Sequence, residues 1–461
     1  MPQFNTGDTA WVLASTALVL LMTPGLAFFY GGMVRAKNVL GMLMQNFAAI
    51  AVVSLVWVWV TYSLAFGPDW GGHGIIGTLH FFGLSHMNSP VPGYSPAQTI
   101  PPLVFMAFQM MFAIITPALI TGSTADRLKF GAFVVFITVW SVIVYAPVAH
   151  WVFDPNGWLF KLGAEDFAGG TVVHINAGVA GLAVAMVVGR RKGWPKKAMQ
   201  PHNVPFVLLG AGLLWFGWFG FNAGSALGAN NLAANAFVNT NTATAAALIG
   251  WIVVEKLRDG KSTTLGAASG AVAGLVAITP ACGYVNVVGA TAIGLIAGAV
   301  TAMAVRLKFR LKLDDALDVG GVHFVGGVVG ALLIGFFGTK AVGGINGVLH
   351  HGGWKLLGYQ AVAVAAVAAY SFVVSWVLAK VIHRTMGFRI DEEQEEEGMD
   401  TALHAETAYE LSPAFGSGMS QLFAATASSS APAPPSAASA SRPVPTGSDS
   451  PVAAGSEGSK A

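Results

Sequence analysis

Runs of mostly apolar residues, each roughly 20 long, succeed one another along most of the chain, separated by short polar or glycine-rich breaks. They cover residues 9–32, 42–67, 101–122, 131–149, 169–189, 204–221, 237–256, 264–281, 285–305, 319–338 and 357–382. Each can cross about 30 Å of hydrocarbon as a helix, a form that satisfies its own backbone polar groups where there is no water. The pattern predicts an all-α polytopic membrane protein with eleven transmembrane helices. With 54% hydrophobic and 10% charged residues, the composition excludes an ordinary soluble domain. Glycine is frequent inside the runs, as close helix packing in lipid requires.

Basic residues predict orientation. Arg35/Lys37, Arg127/Lys129, Arg190 to Lys197, Lys256 to Lys261 and Arg306 to Lys312 fall in alternate connections, and Lys380, Arg384 and Arg389 follow the last run. The opposite connections hold only Lys161, Lys340 and Lys355. This asymmetry places the N-terminus outside and the C-terminus in the cytoplasm, in the cell inner (plasma) membrane. It also supports the odd span count. No Lys or Arg precedes the first run, which continues through Gly32, so it does not read as a signal peptide.

Two ionisable residues sit inside these runs in matched surroundings. His174 lies in Asp-Phe-Ala-Gly-Gly-Thr-Val-Val-His-Ile-Asn-Ala-Gly over 166–178, and His323 in Asp-Val-Gly-Gly-Val-His-Phe-Val-Gly-Gly over 318–327. Each is followed by Gly at +4, Val at +5 and Gly at +7. A single buried His is usually a packed residue bonded to a carbonyl. Two at matched places favour a pathway, because an ionisable group in hydrocarbon is costly and normally faces a bundle interior. Five spans reach the first motif and five more the second. The spacing therefore implies two inverted five-helix repeats plus an eleventh helix, with the site near the midplane. Two imidazoles alone make a poor metal site, and no Cys or Asp lies at helical spacing beside them, so no metal is expected. The single Cys282 excludes an intramolecular disulfide.

Asp166 reads first as a helix N-cap that also adds negative potential to the outer mouth, with Asp318 in the analogous place before His323. Phe108 and Phe112 lie one helical turn apart. The aromatic run 215–221, ending in Phe221 and followed by Asn222 and Ser225, has two readings: a lipid-anchoring belt or a cation-accepting vestibule. The connection 68–100 should cap the outer face, and its His73, His80 and His86 match no metal spacing. Three regions result: a membrane domain over 1–385, a cytoplasmic segment over 386–412 carrying the acidic run 391–397, and an Ala/Ser/Pro-rich tail over 413–461 that composition predicts to be disordered. No nucleophile–base constellation, cofactor fingerprint or nucleic-acid-binding signature is present, which argues against an enzyme.

The stretch 166–178 resembles the signature of the ammonium transporter (Amt/Mep/Rh) family, in its bacterial Amt branch. Phe-Tyr-Gly-Gly-Met-Val-Arg over 29–35, Trp-Phe-Gly-Phe-Asn-Ala-Gly-Ser-Ala over 218–226, Ile-Thr-Pro-Ala over 278–281 and Asp-Val-Gly-Gly-Val-His over 318–323 resemble further family motifs in the same order. The resemblance implies a homotrimer with one pore per subunit, ammonium or ammonia as substrate, no cofactor, and a C-terminal strip addressed by PII-type signal proteins. It implies that His174 and His323 are paired pore histidines and that Phe112 and Phe221 close the outer mouth. Phe108, Ser225 and Phe153 would receive ammonium, Asp166 would support that site, and Trp218 and Thr279 would lie near the pore. The sequence departs from the family at Ala-His-Trp-Val-Phe over 149–153, where a Trp usually ends the motif. Phe153 keeps the ring face but lacks the indole's stronger attraction for a cation. The turn 154–157 that follows is an insertion beside the mouth.

Overall fold

Polar caps fix where several of the apolar runs become helical. Asn5, Asn203, Asn230, Thr263 and Asn286 each accept a hydrogen bond from the backbone N–H three residues on, at 2.9–3.0 Å. The computed structural model describes residues 4–88 and 99–409. Among these, ten helices are long and apolar enough to span a membrane, and a shorter apolar helix makes eleven. In chain order they are α1 Thr6–Met33, α2 Ala36–Phe66, α3 Pro102–Thr124, α4 Phe130–Leu162, α5 Gly170–Val188, α6 Val204–Gly224, α7 Asn231–Asp259, α8 Thr264–Ile278, α9 Val287–Leu311, α10 Gly320–Phe337 and α11 Lys355–Thr385. The described residues form no strand, only the isolated bridges Asp69 with Gly77 and Leu128 with Arg389. The protein is thus an all-helical, multi-pass membrane protein.

Several boundaries differ from expectation. α2 starts at Ala36 rather than 42, because the Asp400 carboxylate accepts from Leu40 N (3.0 Å) and Gly41 N (2.8 Å) in its first turns. α7 starts at Asn231 rather than 237, where the Asn230 side chain caps it by accepting from Ala233 N at 3.0 Å, and further along the Asn239 amide donates to the carbonyls of Cys282 and Val285 at 2.9 and 2.7 Å. α4 runs past 149 to Phe153, turns through Asp154 to Gly157, and resumes as Trp158–Leu162.

Connections on the basic face are tied together by buried charge. Arg191 pairs with Asp314 at 2.8 Å and Asp126 at 3.3 Å. The buried Arg127 guanidinium donates to the carbonyls of Ser123, Ala125, Gly189 and Asp314. Burial alone would raise the Asp314 carboxyl, but Arg191 and Arg127 hold it below its ordinary value.

After α11 the chain forms two short helices, α12 Glu392–Glu397 and α13 Met399–His404, and these pack on this face instead of trailing into solvent. Glu395, fully buried, meets Arg389 at 2.6 Å and Lys192 N at 2.7 Å. Breaking such a pair costs about 3–5 kcal/mol. Glu395→Ala should therefore loosen the strap, speeding hydrogen exchange across 391–404 by about tenfold or more while α5 and α10 stay protected. Residues 410–412 and the tail 413–461 lie outside the described residues, as do residues 89–98 of the outer connection.

Candidate functional site

α5 and α10 carry the two histidines and start at opposite faces. Each begins with a wide π turn, Gly170–Ile175 and Gly320–Phe324, and each π turn contains its histidine. Such turns widen a helix locally and are common at functional sites. An acid caps each start. Asp166 accepts from the backbone N–H groups of Gly169, Gly170, Thr171 and Val172 at 2.6–3.2 Å, and from the Thr171 hydroxyl. Burial pushes its carboxyl up, and these hydrogen bonds pull it back. At α10 the matching acid is Asp315, not Asp318 as expected. Asp315 accepts from Val319 N (3.2 Å) and Gly320 N (2.8 Å), and also from the Ser123 hydroxyl. Asp318 instead pairs with Lys308 at 2.7 Å. The register is present in the sequence: 174 − 166 and 323 − 315 are both eight.

The glycine four residues after each His is where the two helices cross. A Cβ on Gly178 would stand 2.4 Å from the Phe324 nitrogen, and one on Gly327 2.9 Å from the Ile175 side chain and 3.3 Å from the His174 Cβ. Because both sites lack a Cβ, the backbones approach and the imidazoles meet. His323 Nδ1 is 3.4 Å from His174 Nδ1, with ring centroids 5.5 Å apart and planes 24° from parallel. Both rings are buried.

The column of rings continues from there. His174 stacks on Phe221 at 6.0 Å and on Trp218 at 5.4 Å, and Phe221 meets Phe112 at 4.2 Å. Trp218 is anchored by its indole N–H on the Thr279 hydroxyl, at 2.8 Å. Thr279 in turn donates to the Leu275 carbonyl, so it supports the wall.

Three cavities are strung along this column. A depression of about 200 Å³ at the face opposite the basic one is lined by Gln109, Phe112, Phe153, Asp166, Ser225 and Tyr284 among others. A void of about 10 Å³ touches Phe221, Trp218, His174 and His323, walled by Leu26, Ile115, Leu119 and other apolar side chains. A third, of about 60 Å³, runs from His323 to Tyr30, Asp318 and Ser269 toward the basic face.

Phe108 is placed differently from the other aromatic candidates. It is fully buried, edge-on to Phe112 at 4.9 Å, and supports that ring from behind. Ser225 borders the depression but donates its hydroxyl to the Phe221 carbonyl at 2.8 Å, which leaves its oxygen lone pairs to accept. Sequence reasoning misses Gln109. Its buried side-chain oxygen has no hydrogen-bond partner, and a lone Gln beside two Phe residues gives no signal of that in sequence.

Hydrogen-bond counting defines what the His pair offers. If both rings are neutral, one Nδ1 donates and the other accepts, so one Nε2 carries a proton and the other a bare lone pair. His174 Nε2 is buried and has no partner. The narrow void is therefore apolar except for one donor edge and one acceptor edge. Among the described residues no group of three or more His, Cys, Asp or Glu side chains could hold a metal.

Known proteins share this architecture. The model of the Ammonium Transporter Family matches residues 10–409, and the chain belongs to that family. It is 53% identical over 437 residues to a protein of Mycobacterium tuberculosis strain H37Rv described as an ammonium transporter, covering 89% of this chain and 92% of that one. The crystal structure of Saccharomyces cerevisiae Mep2 superposes with a TM-score of 0.81 at 37% identity, over 89% of this chain and 93% of that one. A structure described as a sensor Amt protein matches with a TM-score of 0.79 at 30% identity, covering 86% of this chain and 98% of that one.

Proposed function

We propose that this ammonium transporter receives NH4+ in the depression lined by Phe112, Phe153 and Ser225, where the cation gives a proton to the water of that open depression, and conducts NH3 past His174 and His323. What carries the reading is the ring column joining an aromatic-lined depression to a nearly closed apolar void. Taking a bare monovalent ion into such a void carries an idealised penalty on the order of 20 kcal/mol. Ammonium escapes it by losing a proton, which K⁺ cannot do. Ring faces and hydroxyl lone pairs suit the cation before that step, and the donor–acceptor edges of the His pair suit neutral ammonia after it.

The face bearing Asp166 is then outside and the strap α12–α13 cytoplasmic, in agreement with the distribution of Lys and Arg. Assembly as a homotrimer in the cell inner membrane, and contact of the strap with a PII-type signal protein, belong to the same proposal. The buried engagement of Glu395 and Asp400 supports a regulatory strap, since a partner that shifted it would act directly on α2 and the 190–192 connection. Resemblance to a sensor Amt protein makes reporting of ammonium a second reading. A transport-dead variant that still alters nitrogen signalling would favour it.

Liposomes reconstituted with the protein test the main reading. Ammonium gradients should drive uptake that excess K⁺ does not inhibit, whereas K⁺ currents of similar size would defeat it. Phe153→Trp should tighten reception, because indole is the better cation acceptor. A cation–π gain of about 0.5–1 kcal/mol at an open site predicts an apparent KM lower by roughly two- to fivefold at unchanged maximal rate, read from uptake against ammonium concentration.

A further inference from the structure

The depression that holds Phe153 has a second acid in its wall. Glu165 lines it beside Asp166, in the connection between α4 and α5. The two carboxylates differ in what they have left to offer. Asp166 already serves four backbone N–H groups and the Thr171 hydroxyl, five donors for about four lone-pair sites. Glu165 serves neither a cap nor an ion pair. Among the described residues no Lys, Arg or His pairs with it, and the charged group acting on it is Asp166, of the same sign.

The backbone under this side chain is held firmly. Glu165 N donates to the Gln360 side-chain oxygen at 2.7 Å, and the Gln360 amide donates back to the Glu165 carbonyl at 2.8 Å. The same amide donates to the Ala331 carbonyl at 3.0 Å, which ties the stretch to α10 and α11. Gln360 is fully buried. Little loop entropy is therefore lost when a ligand meets Glu165. Burial pushes the Glu165 carboxyl up, a hydrogen bond from the Tyr284 hydroxyl pulls it back, and Asp166 adds to the rise. Tyr284 stands in the wall of the same depression. A cation arriving there supplies the opposite charge that the fold withholds, and favours the ionised carboxylate in return.

We infer that Glu165 is a cation-receiving residue of the outer depression: its carboxylate accepts an N–H of ammonium while the faces of Phe112 and Phe153 and the Ser225 oxygen take the rest of the cation. This rests on the reading of the depression as the receiving end. Ammonium has four N–H donors, and the wall meets them with one charged acceptor, one hydroxyl and aromatic faces. The charge also offsets what Phe153 lacks against an indole. K⁺ has no N–H for the carboxylate, so it gains only screened attraction at an open site.

The test is ammonium uptake by proteoliposomes carrying a charge series at this position, read as KM and maximal rate at neutral pH. Glu165→Gln keeps the shape and an oxygen for the Tyr284 hydroxyl but removes the charge. It should raise KM by about three- to fivefold at unchanged maximal rate, the size expected of one partly exposed charge pair. Glu165→Lys should raise KM further, by about tenfold or more, because a tethered ammonium group then competes for the rings. Glu165→Asp, which retains the charge, should stay within about twofold of wild type. A role in packing would not order KM by charge, and the Gln360 bonds, made by the backbone, remain available in every variant. Should Glu165→Lys fail to give monodisperse protein, Glu165→Gln and Glu165→Asp decide between them. A wild-type KM in Glu165→Gln, a KM as high in Glu165→Asp as in Glu165→Gln, or a loss confined to maximal rate would overturn the inference. Absence of any saturable ammonium uptake in wild type would instead sink the functional reading beneath it.

Discussion

Replacing either His174 or His323 with Ala should abolish uptake of ammonium that rejects K⁺. Each imidazole fills one side of a void of about 10 Å³ between apolar walls, and each supplies one of its two polar edges. Removing a ring leaves the other Nδ1 buried without its partner, at a cost of about 1–3 kcal/mol, and widens the lumen by an imidazole's volume. Ammonia then meets one polar edge instead of two, while water gains room and lowers the penalty that excluded ions. Loss of rate or loss of K⁺ rejection would each remove selective uptake, by about 100-fold if the whole donor–acceptor relay contributes some 3 kcal/mol. The measurement is ammonium uptake against a K⁺ background in proteoliposomes of wild type and both single variants. Full, K⁺-insensitive uptake by both variants would show that the pair is packing.

The second large effect is expected at Asp166. Its two oxygens serve four backbone N–H groups and one hydroxyl at the start of α5. An ordinary cap contributes about 0.5–2 kcal/mol, and each buried donor left unpaired adds about 1–3 kcal/mol. Asp166→Ala should therefore release the π turn that aims His174 and lower the thermal midpoint, and transport should fall by at least tenfold even in inserted protein. Asp166→Asn should be milder, because its carbonyl oxygen can keep the Gly169 and Gly170 bonds. Equal, near wild-type stability and transport in both variants would show that the carboxylate is dispensable to the turn.

Much of the architecture is legible in the sequence because the bilayer imposes a simple length rule on apolar runs. The starts of α2 and α7 show where that rule ends. The first depends on Asp400, about 360 positions away, which no local pattern announces, whereas the second has a local signal in its Asn230 cap. The His motifs point correctly to two related helices, and the shared Gly at +4 has a physical reason in their crossing. The adjacent Gly-Gly pair points to Asp318 as the second cap, whereas the cap geometry obeys the eight-residue spacing and selects Asp315. Phe108 shows the converse limit: helical spacing puts it beside Phe112, but only packing reveals that it backs that ring and leaves the depression to Phe153 and Ser225.

His174 and His323 meet Nδ1 to Nδ1 at 3.4 Å, the arrangement of one shared hydrogen bond. Solid-state ¹⁵N NMR of histidine-labelled protein in lipid, assigned with His174→Ala and His323→Ala, reports it most directly. One donating and one accepting Nδ1 are expected, with dipolar coupling between them that is lost in either variant. Two rings with no mutual coupling, or both Nδ1 atoms bound to other partners, would contradict it.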